Sequence, residues 1–252
     1  MARQRRRRQV LATTAPDESA LRKALDELLA LHEEWSNISV AHSKERSFRM
    51  KWGLIAHTIA HAEAGLILLD HPNLQLCAET SARVAFEHAL LAQYAHQHPD
   101  GEVGLLRLME YYDYRLGVTM SQLNLDGDLK DLAFQSAQAK TKAPDIANFS
   151  TLTEQFDTSG WLYASYKMLC QSVHPSSFTL ARYLIVNEES GRTRSVLRYA
   201  RPEGKEPMLW TLTLSVLLAL GVQEDTRKGK SNMSRLRRVG ARVGMTPLLD
   251  LA

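Results

Sequence analysis

From residue 18 onward, apolar side chains recur every three or four positions, the period of a helix with one buried side. Over 18–35 (ESALRKALDELLALHEEW) the stripe is Leu21, Leu25, Leu28, Leu29 and Leu31, with Asp17 placed as an N-cap. A second helix is predicted over 47–70, striped by Trp52, Ile55, Ile59, Leu66 and Leu69 and stopped by the HPN turn at 71–73. Further helices are predicted over 74–97, about 102–123, about 128–142, 159–173 and 206–223, with a polar break around 142–151 (KAPDIANFST). The period changes after Pro175: ARYLIVN (181–187) and TRSVLRYA (193–200), around EESGR, predict two short strands of a hairpin.

The expected fold is therefore mainly α, a bundle of about seven helices with one short β-hairpin near residues 181–200. The expected organisation is a basic tail over 1–15, a single helical-bundle domain over 16–225 and a basic C-terminal tail over 226–252. The apolar runs Trp52–Leu69 and Leu209–Val222 fall short of about 18 uninterrupted apolar residues, so both are read as buried helices and no membrane partner is expected.

On a helical wheel the 74–97 segment is apolar on two sides. Leu76, Phe86, Leu90 and Tyr94 share one side, and Ala78, Ser81, Ala85, Ala89 and Ala92 the other, the pattern of a central helix. Arg83 falls among the large apolar residues with Glu87 one turn on. A buried charge needs a partner, and Glu79, Arg83 and Glu87 form an i, i+4, i+8 ladder that flanks the arginine with two carboxylates. Two readings stay open: an internal salt bridge that fixes helix register, or a polar pocket whose arginine Glu87 positions. His88 lies five residues from Arg83, about 140° around the helix, so the two do not face one small substrate from the same helix.

A second concentration of chemistry ends the 159–173 helix. Tyr163, Tyr166, Cys170 and His174 succeed one another by single turns, and His174 precedes a proline at a helix C-terminus, where the dipole favours imidazolium. His174 is either a general acid or base or a simple cap. His57 and His61 have the i, i+4 spacing of two metal ligands, but the motif lacks the glutamate after the first histidine that a zincin requires. No metal and no cofactor is expected. Cys77 and Cys170 lie far apart with no CxxC spacing, which suggests neither a disulfide framework nor zinc and points to a reducing, cytoplasmic location.

Composition sharpens this picture in one respect. Thirteen Gly and eight Pro in 252 residues are few, which favours long helices. The net charge of +3 conceals an asymmetry: 1–10 carries five Arg and no acid, and 227–242 seven Lys or Arg and no acid. These ends supply +12, which leaves −9 for the rest of the chain. Basic ends on an acidic body suit RNA or other nucleic acid, or serve solubility as solvated tails.

Over about residues 45–222 the chain resembles an uncharacterised family of helical bacterial proteins, a domain of unknown function. The resemblance rests on Arg83-x3-Glu87 in a central helix and on LCQSVHPSS with Tyr166, His174, Pro175 and Ser176. It is also distantly similar to the HEPN superfamily of helical bundles, many of them metal-independent ribonucleases of toxin and antiphage systems. That similarity implies an arginine and a histidine at a cleft, often completed by a homodimer, with Arg83 paired to His88 or to His174. The site it implies comprises Arg83 for phosphate charge, His174 as general acid or base, Glu87 to orient the arginine and Tyr166 as a second donor. The alternative is a non-catalytic interaction module in which Arg83, Glu87 and His174 form a structural polar network.

Overall fold

The computed structural model describes residues 16–34, 39–123, 128–138, 141–174, 182, 184–189, 192–197, 204–230 and 232–252. The tail expected over 1–15 lies outside them. Helices carry the architecture: α1 (Glu18–Glu34), α2 (Glu45–Asp70), α3 (Cys77–Gln97), α4 (Gly101–Ser121), α5 (Asp128–Gln138), α6 (Phe149–Glu154), α7 (Trp161–Val173), α8 (Glu206–Thr226) and α9 (Met233–Arg242). The mainly α class is as expected, with nine α-helices among the described residues in place of about seven. Leu184–Glu189 and Arg192–Leu197 are extended, with Leu184 opposite Leu197 and Glu189 opposite Arg192. The fold is secured by its helices and not by these two segments.

The additional helices are α6 and α9. The first starts inside the polar break because the Asn148 side chain accepts from the Ser150 amide at 3.1 Å. The second corrects the expected C-terminal tail. Met233, Leu236 and Val239 recur every third residue and are buried in the core, so the basic stretch is an amphipathic helix. Its charges are partly neutralised: Arg235 pairs with Glu34 at 2.9 Å and Arg242 pairs with Glu27.

Where one bundle over 16–225 is expected, the chain divides into two compact units. The first is drawn from Met1–Gln93 and Ala164–Leu249. At its centre is α8, apolar all round and buried almost throughout. Its core hydroxyls are satisfied internally: Thr211, Thr213, Ser215 and Thr226 each donate to the carbonyl four residues back. Against it pack α1, α2 and α9. The start of α1 is fixed by Asp17, whose Oδ1 accepts from the Ala20 amide at 2.7 Å. A Cβ at Gly221 would collide with the Pro247 carbonyl oxygen, so glycine there lets the chain after α9 lie against α8. Gln93, wholly buried, joins these parts. Its Nε2 donates to Leu218 O at 2.9 Å and Pro247 O at 3.0 Å, and its Oε1 accepts from the Leu249 amide at 3.2 Å.

The second unit, Tyr94–Tyr163 with Asp250–Ala252, contains α4, α5 and α6. Leu105, Leu108, Ile146, Leu152 and Leu162 are among its buried apolar residues, and α5 packs along α4. The Asp157 carboxylate opens α7 by accepting from the Leu162 amide at 2.8 Å. Two helical stretches, His42–Asp70 and Glu206–Thr226, are long and apolar enough to cross a membrane by length and composition, and the second is mostly buried inside its own unit.

Candidate functional site

The structure brings Arg83, Glu87 and Tyr166 together. Helical spacing sets Arg83 and Glu87 one turn apart on α3, with guanidinium and carboxylate 2.9 Å apart. From α7, Tyr166 accepts a hydrogen bond from Arg83 Nη2 at 3.0 Å, and its ring lies 5.3 Å from the guanidinium carbon, within cation–π range. The two charged side chains are about a quarter exposed, so the group is lodged in the surface of the first unit. Arg83 Nε is buried and has no hydrogen-bond partner among the described residues.

Electrostatics at this centre favour one state for each group. Burial works against the arginine's charge, but Tyr166 and Glu87 outweigh it and hold the guanidinium above its ordinary pKa. Burial pushes the Tyr166 phenol well up, against the pull of Arg83 and with the help of Cys170 and Glu87. Tyr166 is therefore a neutral donor and acceptor near neutral pH and not a phenolate base.

Two expectations about this centre need correction. Glu79 does not flank Arg83; it is buried and pairs with Arg182. Desolvation raises the Glu79 pKa, and the arginine opposes it. His174 does not join the arginine: it is exposed just past the end of α7. It lies eight residues beyond Tyr166, roughly 12 Å along a helix axis at 1.5 Å per residue. Cys170, one turn before it, is buried.

His88 has other company. Its Nδ1 lies 3.2 Å from His57 Nδ1, with ring centroids 4.6 Å apart, and His61 stands edge-on to His57 at 4.5 Å. The small residues on its side of α3 allow this approach: Thr58 of α2 reaches the Ala85 carbonyl at 3.5 Å. Burial drives the His88 pKa down to about 4, its two histidine neighbours push the same way, and a hydrogen bond to the Val84 carbonyl opposes them. Burial, then His57, also lowers His61. A sequence signal for the trio exists: His57 and His88 are nearly equidistant from the turn at 71–73, as facing residues of an antiparallel helix pair are. As the rings stand, no three His, Cys, Asp or Glu side chains among the described residues enclose a metal ion.

No family profile matches the chain, and no curated protein or solved structure matches it either.

Proposed function

We propose that the chain binds a phosphate-bearing ligand, RNA or a nucleotide, through Arg83, as an HEPN-like helical protein of the cytoplasm. The observation that carries this reading is an arginine fixed in the protein surface by Glu87 and Tyr166 whose side chain stays about a quarter exposed. A phosphate oxygen accepts from the part of the guanidinium that remains exposed, in a charge-assisted hydrogen bond. The Tyr166 ring and hydroxyl offer a flat surface and a second polar contact beside it. Arg237 and Arg238, exposed on α9, add attraction that salt would weaken.

Binding, and not cleavage, is the form that this geometry favours. A metal-independent ribonuclease needs an acid or base at the arginine; Tyr166 is held neutral and His174 is exposed beyond the helix end. The resemblance to HEPN proteins extends the proposal to a bacterial defence or toxin role. The proposed architecture keeps a short β-hairpin near residues 181–200, to be tested by nuclear Overhauser contacts between Val186 and Ser195.

A second reading has its own observation: Arg83 already has two partners, so the cluster suits a structural polar network in a non-catalytic interaction module. Fluorescence anisotropy with a labelled single-stranded RNA, and separately with ATP, distinguishes the two. Arg83→Ala is expected to weaken binding about tenfold, the equivalent of about 1.4 kcal/mol, with a Tm within a few degrees of wild type. Unchanged affinity together with a sharply lowered Tm would assign the cluster to the network instead.

A further inference from the structure

Three histidines of the first unit meet between α2 and α3, on a different side of α3 from Arg83. His57 and His61 stand one turn apart on α2, and His88 reaches His57 from α3, 31 residues away in sequence. The Nδ1 atoms of His57 and His88 face each other at 3.2 Å. Ring centroids are 4.6 Å apart for His57 and His88, and 4.5 Å apart for His57 and His61. His57 is exposed and the other two are half-buried, so the trio opens to water on one side.

We infer that this trio binds a first-row divalent transition ion such as zinc, held between α2 and α3 by His57 and His88, with His61 as the third ligand. Zinc–nitrogen bonds of about 2.0–2.1 Å at a tetrahedral angle set two ligating nitrogens about 3.3–3.4 Å apart. The two Nδ1 atoms are within about 0.2 Å of that separation, by the same bond lengths. Four residues on one helix, the spacing of His57 and His61, is also the spacing of paired zinc ligands. A hydrogen bond between His57 and His88 accounts for their approach but gives His61 no role. The His61 Nδ1 is buried without a hydrogen-bond partner among the described residues, an unfavourable setting for a polar atom. As the rings stand they do not enclose an ion, so binding requires the His61 ring to turn. Its outer torsion is soft, and the turn exchanges an orphaned nitrogen for a metal bond.

The donor set selects the class of ion. It is three imidazoles with no carboxylate, which suits zinc, copper or nickel, whereas magnesium and calcium take oxygen ligands. Burial holds His88 and His61 below the ordinary histidine range, so both offer lone pairs at neutral pH without first losing a charge. The ring that donates in the His57–His88 contact carries its proton on Nε2 instead, which frees both Nδ1 lone pairs for the ion. Three protein ligands leave a fourth position for water on the exposed side.

Equilibrium dialysis of the full chain, made without a histidine tag, against micromolar zinc tests the inference. Wild type is expected to retain one zinc ion per chain and to gain in Tm as zinc is added, because the ion binds the folded state. His57→Ala, His61→Ala and His88→Ala are each expected to weaken retention about tenfold or more. His57 is exposed, so His57→Ala keeps the test available if the half-buried His88→Ala does not fold. A wild type that retains no zinc would overturn the inference. So would undiminished retention in His57→Ala, which would place the ion elsewhere, as at the exposed Cys77. Undiminished retention in His61→Ala would overturn the three-histidine site.

Discussion

Glu79 is only 6% exposed, and Arg182 is the cation that neutralises it. Deleting the arginine takes the ion pair from a buried carboxylate, and breaking a fully buried pair costs about 3–5 kcal/mol. Arg182→Ala is therefore expected to lower the Tm, and to lower it less as pH falls. The sign follows from linkage. Burial already raises the folded-state pKa of Glu79, and loss of the arginine raises it further, so the folded variant takes up a proton before the unfolded chain does and gains stability towards acid. Melts of Arg182→Ala and of Glu79→Gln/Arg182→Ala at neutral and mildly acid pH check this. An equal deficit at both pH values would sink it. Arg83 with Glu87 is legible in the sequence because a helix fixes which residues stand four apart. Glu79 stands equally near Arg83 along the chain, yet its cation comes from residue 182, a choice between arginines made by packing and not by spacing. Tyr166 is legible as chemistry but not as a partner, since no local rule sets α7 against α3.

Among the elements, α9 is the one that composition disguises. Seven basic residues in 227–242 read as a solvated tail, while the period-three run of Met233, Leu236 and Val239 carries the fold. Leu236→Ala is expected to cost about 2–5 kcal/mol through lost burial and the cavity left behind, measured by urea unfolding. A change below about 0.5 kcal/mol would restore the tail reading. The α2–α3 pair carries a pH dependence of its own. His88 is neutral in the folded state down to about pH 4, whereas the unfolded chain protonates near pH 6.5. The unfolded state thus binds more protons between those values, so the contribution of His88 is fully present above pH 6.5 and is lost as pH falls towards 4. Allowing for its partial exposure, the decline is about 1–2 kcal/mol. His88→Asn is expected to flatten stability between pH 7 and 4.5, and an unchanged slope would locate the titration elsewhere.

At the scale of the molecule, the division into two units escapes the sequence because it falls inside helices. Gln93 and Tyr94 are neighbours within α3, and Tyr163 and Ala164 within α7, with no Gly, Pro or polar linker to mark either border. The charge asymmetry is legible, but its use is not. Arg227, Lys230, Arg235 and Arg242 are all in ion pairs, with Glu224, Asp225, Glu34 and Glu27, so less than half of the C-terminal basic cluster is left for a partner. Those pairings also tie α1 to α8 and α9: Arg235 meets Glu34 across 201 residues, and Thr213 meets the Leu21 carbonyl across 192. A ribosome adding about 5–20 residues per second takes roughly 10–40 s to produce the partners that α1 is waiting for. Through most of that interval its leucine stripe lacks α8 and α9, with only α2 and α3 of its core neighbours yet made, which leaves the nascent chain with the exposed apolar helix surface that chaperones bind.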